Sequence, residues 1–103
     1  MATIYIVEDD VNIREIERYA LKNSGYQVEE FECGADLFKR LESKVPALIL
    51  LDIMLPHEDG LDILTKIRTD KNTANVPIIM VPAKTSELNT GKGLDTGANE
   101  NIS

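Results

Sequence analysis

The feature that most constrains the fold is an unbroken apolar run at residues 47–51, which ends in the carboxylate of Asp52. An apolar run without alternation predicts a strand buried on both faces, as at the centre of a parallel sheet. A second apolar run, residues 4–7, ends in consecutive acids at positions 8–10. Parallel strands end at the same edge of a sheet, so we expect these acids to meet Asp52 in one pocket.

An acidic pocket of this kind predicts a divalent-cation site. Carboxylates packed closely in a partly dry pocket repel one another strongly, and a bound cation relieves that repulsion. Carboxylate oxygens are ligands that suit Mg²⁺. The chain therefore predicts an acidic Mg²⁺ site with a nucleophile candidate. We interpret Asp10 differently, as the N-cap of a following helix, because its short side chain can accept a bond from a first-turn amide.

Length and charge narrow the class of protein. The chain has 103 residues, enough for one domain with a buried core. Its net charge of −7 argues against direct contact with nucleic acid, which needs clustered Lys and Arg. No segment approaches the ~20 apolar residues of a membrane span, and no signal pattern opens the chain, so we expect a cytoplasmic location without membrane contact.

Apolar spacing predicts alternating strands and helices. Residues 11–24 carry Ile13, Ile16, Ala20 and Leu21 at helical spacing, and Gly25 ends this helix. The other predicted elements are strands at 4–7, 26–31, 47–51 and 78–81, and helices at 34–40 and 61–68. Strands that alternate with helices at this cadence predict a doubly wound α/β protein with a parallel sheet.

The acids at the strand ends, together with the run from Met54 through Leu55 and Pro56 to Asp59 and Gly60, resemble the receiver domain of bacterial two-component response regulators. The resemblance covers essentially the whole chain and is closest to receivers attached to winged-helix transcription factors. It implies a flavodoxin-like fold with strand order 2-1-3-4-5. It also implies a signalling module that a histidine kinase phosphorylates and that regulates a C-terminal DNA-binding domain.

The resemblance also assigns a role to each acid. It implies that Asp52 is the phosphoacceptor. Mg²⁺ would be held by Asp9 directly, by Glu8 through water, by Asp52, and by the main-chain carbonyl of Met54. Bound Mg²⁺ would stabilise the charge of the transferring phosphoryl group. Beyond this self-phosphorylation and dephosphorylation, we expect no enzymatic activity.

The end of the chain departs from the family pattern. The Ser or Thr that contacts the phosphoryl group is replaced by Pro82, which has neither a hydroxyl nor an N–H, followed by Ala83 as the small residue that leaves access. The aromatic switch position aligns with Asn101, and the family's lysine and last helix fall after the last residue. Residues 1–103 are therefore expected to form one receiver domain lacking the complete last strand and last helix, with residues 85–103 weakly structured.

These departures predict self-association and leave two functions open. An incomplete sheet exposes one face and leaves the fourth strand as an edge, so we expect a homodimer or another assembly. A light-scattering mass of one chain at high concentration would contradict this expectation. The chain is either a phosphoacceptor receiver or a degenerate, non-switching receiver that acts only in protein interactions. Pro82 and the shortened end favour the second for this chain, whereas the intact set of three acids favours the first for its parent.

Two other kinds of protein fit the sequence less well. An aspartyl phosphatase needs a second acid two residues after its nucleophile, where this chain has Met54. A flavin protein of similar topology needs a phosphate-binding loop after the first strand, where this chain has acids that repel phosphate.

Overall fold

A computed structural model describes residues 1–81 and 100–101. The elements in chain order are β1 (Thr3–Val7), α1 (Val11–Asn23), β2 (Gln27–Phe31), α2 (Gly34–Leu41), β3 (Leu48–Asp52), β4 (Met54–Leu55), β5 (Glu58–Asp59), α3 (Gly60–Thr69), β6 (Ile78–Val81) and β7 (Glu100–Asn101). Within these residues, β2-β1-β3-β6-β7 form a parallel sheet in that order, and β4 pairs with β5 separately. Numbered along the chain, the sheet strands have the order 2-1-3-4-5, which confirms the predicted fold class.

Strand β3 lies at the centre of the sheet, as its apolar run predicts. It pairs with β1 on one side and β6 on the other, so that Leu50 lies opposite Ile6 and Ile79. All of β3 except its first residue is buried. The register also aligns Val7 with Leu51, so the residues that follow them leave the sheet at the same edge.

Helices cover both faces of the sheet. On one face, α2 and α3 form the larger core, whose fully buried side chains are Tyr5, Val7, Leu37, Ile49, Leu51, Leu64, Ile67, Ile78 and Met80. On the other face, Leu21 of α1 packs against a smaller cluster of Ile4, Ile6 and Leu50. Each fully buried Leu or Ile contributes about 1.5–3 kcal/mol, so the larger core provides more of the stability. The sheet is doubly wound, as predicted.

The ends of α1 follow the sequence signals. Asp10 Oδ1 accepts hydrogen bonds from Asn12 N and Ile13 N at 2.9 and 3.1 Å, which confirms its role as N-cap. Gly25 has a φ of 93°, the left-handed conformation that terminates many helices and that glycine adopts without strain.

The predicted apolar face of α1 is wrong in part. Ile16 is 70% exposed and Ala20 is also exposed. The partly buried stripe instead runs through Ile13, Glu17 and Leu21, each four residues from the next. The helix therefore turns a carboxylate toward the sheet and an isoleucine toward solvent, the reverse of what hydrophobicity alone predicts.

The last described residues correct one expectation. Strand β7 pairs in parallel with β6, with Glu100 opposite Ile79 and Asn101 opposite Met80. The prediction that the fourth strand is a free edge is therefore wrong over these positions, because two residues of a fifth strand cover it. The weak structure expected of residues 85–103 lies mostly outside the described residues and stays a prediction. Within the described part of the chain, no helix combines the length and apolar character needed to cross a bilayer.

Candidate functional site

Three acids come together at the carboxyl edge of the sheet. Glu8 and Asp9 follow β1, and Asp52 is the last residue of β3. One carboxylate oxygen from each lies within 4.8 Å of the others, a spacing that one metal ion could bridge. Glu8 and Asp52 are each only 1% exposed, and Asp9 is half-buried. The pocket predicted from the ends of the two apolar runs is present.

Backbone groups hold two of these carboxylates in place. Met54 N donates to Asp52 Oδ1 at 2.9 Å, and Asp10 N donates to Glu8 Oε2 at 3.1 Å. Arg14 Nη1 donates to the main-chain carbonyl of Glu8 at 2.8 Å, so this cation secures the backbone beside the acids. One oxygen of each buried carboxylate is therefore oriented by an amide, and the second is left available.

The remaining oxygens lack donors within residues 1–81. Glu8 Oε1, Asp9 Oδ1 and Asp52 Oδ2 are buried, and no donor in the described part of the chain reaches any of them. A buried carboxylate oxygen without a partner is costly unless a cation or solvent satisfies it. Three such oxygens converge here, and an all-oxygen donor set with net negative charge suits a hard divalent cation. The residues present therefore fit Mg²⁺.

The electrostatics of the site agree with this interpretation. Burial raises the pKa of Glu8 to about 8; the Asp10 amide opposes the rise, and the neighbouring Asp52 carboxylate adds to it. Burial, followed by the negative charge of Asp52, raises the pKa of Glu17 to about 7. In both cases burial is the main cause and the Asp52 charge adds to it, so the ionised carboxylates are costly in this pocket and a bound cation would offset that cost.

Sequence analysis missed Glu17. This side chain extends the negative charge of the site onto α1, and its Oε1 is also buried without a donor among residues 1–81. The signal that could have found it was its spacing of four from both Ile13 and Leu21, which places it on their face of the helix. Reasoning from hydrophobicity favoured Ile16 instead.

The connection after Asp52 is a tight hairpin, which the sequence analysis treated as a loop. Met54 pairs with Asp59 and Leu55 with Glu58 in antiparallel register. His57, in the turn between β4 and β5, has a φ of 63°. This hairpin carries the main-chain carbonyl of Met54, so the position of that carbonyl depends on how the hairpin packs.

A close contact fixes the base of the hairpin. Gly60 N donates to the carbonyl of Ile53 at 3.1 Å. A Cβ on residue 60 would lie 2.4 Å from the Asp52 carbonyl oxygen and 2.7 Å from Ile53 Cα, so a larger residue would force the backbone apart. Asp59 then caps α3 by accepting a bond from Leu61 N at 2.9 Å. Gly60 therefore lets the next helix start directly against the acidic strand end.

The other predicted site positions are Pro82, Ala83 and Asn101, in the last quarter of the chain. Pro82 and Ala83 fall outside the described residues. Asn101 lies in β7 beside Met80 of β6, and its role at the switch position stays a prediction.

Comparison with known proteins identifies the family. The response regulator receiver domain family matches residues 4–103, nearly the whole chain. The chain belongs to this family. The resemblance based on the acids and on the run from Met54 to Gly60 is therefore confirmed.

This receiver domain has relatives among transcriptional regulators. It is 39% identical over 100 residues to the phosphate regulon transcriptional regulatory protein PhoB of Pseudomonas aeruginosa, and 36% identical over 101 residues to the transcriptional regulatory protein CssR of Bacillus subtilis. These alignments cover 97% and 98% of this chain but only 44% of either relative. The chain thus spans less than half the length of these regulators.

Solved receiver structures share the fold. The receiver domain of a Pseudomonas aeruginosa sensor histidine kinase, with a magnesium ion coordinated in its active site cleft, superposes with a TM-score of 0.87 at 27% identity, covering 99% of this chain and 84% of that one. The response regulator TrrA of Thermotoga maritima, in complex with Mg²⁺-BeF, gives a TM-score of 0.84 at 29% identity, covering 99% and 85%. Magnesium is thus present in two similar receiver domains.

Proposed function

We propose that this receiver domain accepts a phosphoryl group on Asp52 in a Mg²⁺-dependent reaction. The observation that carries the proposal is the convergence of Glu8, Asp9 and Asp52 within 4.8 Å, each with a buried oxygen that no donor in residues 1–81 satisfies. A merely structural acid cluster would be expected to find partners within the fold. The Mg²⁺ complexes of similar receiver domains support the same proposal.

Each residue has a role in this proposal. Asp9, Asp52 and the main-chain carbonyl of Met54 would hold Mg²⁺ directly, and Glu8 would hold it through water. The bound ion supplies positive charge that offsets the negative charge of the phosphoryl oxygens during transfer. Glu8, with its raised pKa, gives up its proton when a cation replaces that proton in the pocket.

The phosphoryl transfer itself requires little from the protein beyond positioning. An Asp52 carboxylate oxygen attacks phosphorus, an O–P bond forms, and the P–N bond to the donor histidine breaks. The imidazole nitrogen keeps the electron pair of that bond and takes up a proton from solvent. Met54 N, through its bond to Asp52 Oδ1, fixes the direction in which the carboxylate faces. Water later attacks the same phosphorus, the O–P bond to Asp52 breaks, and inorganic phosphate leaves while a proton passes to solvent, which restores the carboxylate.

The partners belong to the same proposal. We assign a histidine kinase as donor and a DNA-binding domain after the receiver domain as output, since PhoB and CssR are named as transcriptional regulators. Residues 1–103 would then be one receiver domain of a longer cytoplasmic protein. Self-association stays a prediction.

Intact-mass measurement tests the assignment of Asp52. The chain is incubated with acetyl phosphate, an acyl phosphate donor, in the presence of Mg²⁺ and separately in EDTA. We expect a mass gain of one phosphoryl group that requires Mg²⁺ and is absent in Asp52→Asn. The matched control is Asp62→Asn, which alters an exposed acid in the first turn of α3. A gain that persists in Asp52→Asn, or no gain in the unaltered chain, rejects the proposal.

A further inference from the structure

A contact between Glu58 and α2 points to a residue that acts on the site from outside it. Glu58 Oε2 accepts a hydrogen bond from Gly34 N at 2.9 Å, although the two lie 24 positions apart. We infer that Glu58 is a positioning residue: it docks the β4–β5 hairpin on the amino end of α2 and so holds the Met54 carbonyl in its ligand position. This inference rests on the proposed function, in which that carbonyl binds Mg²⁺.

The hairpin is anchored from both sides of Met54. On the β4 side, Met54 N is bonded to Asp52 Oδ1, and Leu55 is buried in the larger core. On the β5 side, Asp59 pairs with Met54 itself, and Glu58 pairs with Leu55. The Glu58 side chain is therefore one of the anchors that hold the strand facing Met54. Without this anchor, β5 would be more mobile, and so would the Met54 peptide, because β5 pairs with β4.

The amino end of α2 provides a reason for this docking. Cys33 occupies the N-cap position but makes no side-chain bond to the first turn. The first amides of a helix need acceptors, and the partial positive charge there favours a carboxylate. Glu58 supplies the acceptor from another part of the chain. One hydrogen bond thus gives a first-turn amide of α2 its acceptor and also restrains the hairpin.

The Glu58 carboxylate lies so close to Gly34 that only glycine leaves room for it. Gly34 is buried, and a Cβ placed on it would lie 2.6 Å from Glu58 Oε1 and 3.0 Å from Ile63 Cδ1. Glu58 Oε1 is the end of a flexible side chain, so Gly34→Ala would displace the Glu58 carboxylate, while the buried side chain of Ile63 would have to give by a few tenths of an ångström. This substitution therefore breaks the docking without altering Glu58.

The test compares variants that separate the hydrogen bond from the charge. Glu58→Ala removes both, and Glu58→Gln keeps an acceptor oxygen but removes the charge. Gly34→Ala displaces the carboxylate, and Asp62→Asn removes a nearby exposed charge as the matched control. For each variant we measure the Kd for Mg²⁺ by titration calorimetry, amide exchange at residue 34 by NMR, and the thermal midpoint in EDTA.

The expected pattern is a weaker Mg²⁺ site wherever the docking bond is lost. We expect Kd to rise about fivefold in Glu58→Ala and Gly34→Ala, the effect of roughly one hydrogen bond, with faster exchange at residue 34 in Glu58→Ala. Glu58→Gln and Asp62→Asn should stay within about twofold of the unaltered chain. A purely structural contact would lower the thermal midpoint without changing Kd.

Two results would overturn the inference. One is an unchanged Kd in Glu58→Ala although the residue 34 amide is released, and the other is a Glu58→Gln Kd equal to that of Glu58→Ala. Measurement of the unaltered chain separates failure of the proposed function from failure of the role inferred for Glu58. If it binds no Mg²⁺, the proposed function fails and takes this inference with it; if it binds and the variants do not differ, only the role of Glu58 is rejected.

Discussion

The polar and charged groups around the two ends of strand β1 differ in whether they are paired. At its carboxyl end, which we call the acidic end, Glu8 and Asp9 lie with Asp52, and each keeps a buried oxygen without a donor among residues 1–81. At the other, paired end, Lys44 Nζ donates to Thr3 Oγ1 at 3.0 Å. The same strand thus begins among satisfied polar groups and ends among unsatisfied ones.

The paired end extends across β2 and α2. Arg40 donates to Glu29 through two bonds, Nε to Oε1 at 2.7 Å and Nη2 to Oε2 at 3.0 Å, and Tyr5 donates its hydroxyl to the Lys44 carbonyl at 2.8 Å. The Arg40 bond lowers the pKa of Glu29, whereas burial raises the pKa of Glu8. The fold pairs carboxylates where cations are at hand. At the acidic end it leaves the balancing charge to come from solution.

Among the single substitutions, removal of the Asp52 charge should have the largest effect on stability. Asn at this position can still accept the bond from Met54 N, but it no longer repels Glu8. Since the pKa of Glu8 is raised to about 8, this repulsion is fully present only above that pH, and there we expect Asp52→Asn to raise the free energy of unfolding in EDTA by about 1–2 kcal/mol. Urea unfolding in EDTA and in Mg²⁺ measures this free energy. Mg²⁺ should stabilise the unaltered chain and have little effect on the variant.

An exposed acid serves as the control for that comparison. Asp62→Asn should change stability by less than about 0.5 kcal/mol and leave the Mg²⁺ response intact. If Asp52→Asn destabilises the metal-free chain, the acidic end is not under repulsion, and the contrast between the two ends disappears.

The pH dependence of stability in EDTA is the second test of the acidic end. The pKa of Glu8 is raised from 4.5 to about 8, so the folded chain binds more protons than the unfolded chain between these values. Stability must then fall as pH rises through that window in EDTA. Glu17, with a pKa raised to about 7, adds to the fall. Mg²⁺ competes with the protons, so its stabilising effect should grow over the same range.

Single substitutions resolve the two contributions. Glu8→Gln and Glu17→Gln should each flatten part of the slope measured by urea unfolding from about pH 5 to 8. Glu15→Gln, an exposed position on the same helix, should leave the slope unchanged. A metal-free stability that is flat or rising across this window would show that the acids are balanced within the fold.

The contrast also explains how much the sequence could predict. The apolar runs at residues 4–7 and 47–51 determine two strands, their burial and their common edge, because burial on both faces leaves few alternatives. The position of Asp52 follows directly from that edge. The helix ends at Asp10 and Gly25 were also predictable, because each of these residues acts on backbone groups next to it in the sequence.

What the sequence could not predict depends on contacts between distant parts of the chain. Glu58 bonds to Gly34, and the spacing of either residue carries no sign of the other. Glu17 lies on the inner face of α1 while Ile16 is exposed, although intrinsic hydrophobicity favours the reverse. These features surround the site, where local patterns and function diverge.

The smallest effect should come from the paired end. Its contribution to stability should increase with rising pH, whereas that of the acidic end decreases. The pKa of Glu29 is lowered mainly by its bond to Arg40, so the pair adds stability above the unfolded pKa of about 4.5 and loses it as pH falls through the lower folded value. Glu29→Gln should therefore weaken the chain slightly at neutral pH and not at all in acid. Both side chains are about one-third exposed, which keeps the loss well below the gain from Asp52→Asn.

Urea midpoints measured across the acid range provide this last test, with Glu15→Gln again as the control for an exposed acid. The paired end predicts stability that grows with rising pH, and the acidic end predicts stability that falls. If Glu29→Gln had the larger effect, or if its cost increased in acid, the bond to Arg40 would not be what stabilises that carboxylate. The contrast in pairing between the two ends of β1 would then lose its support at the paired end.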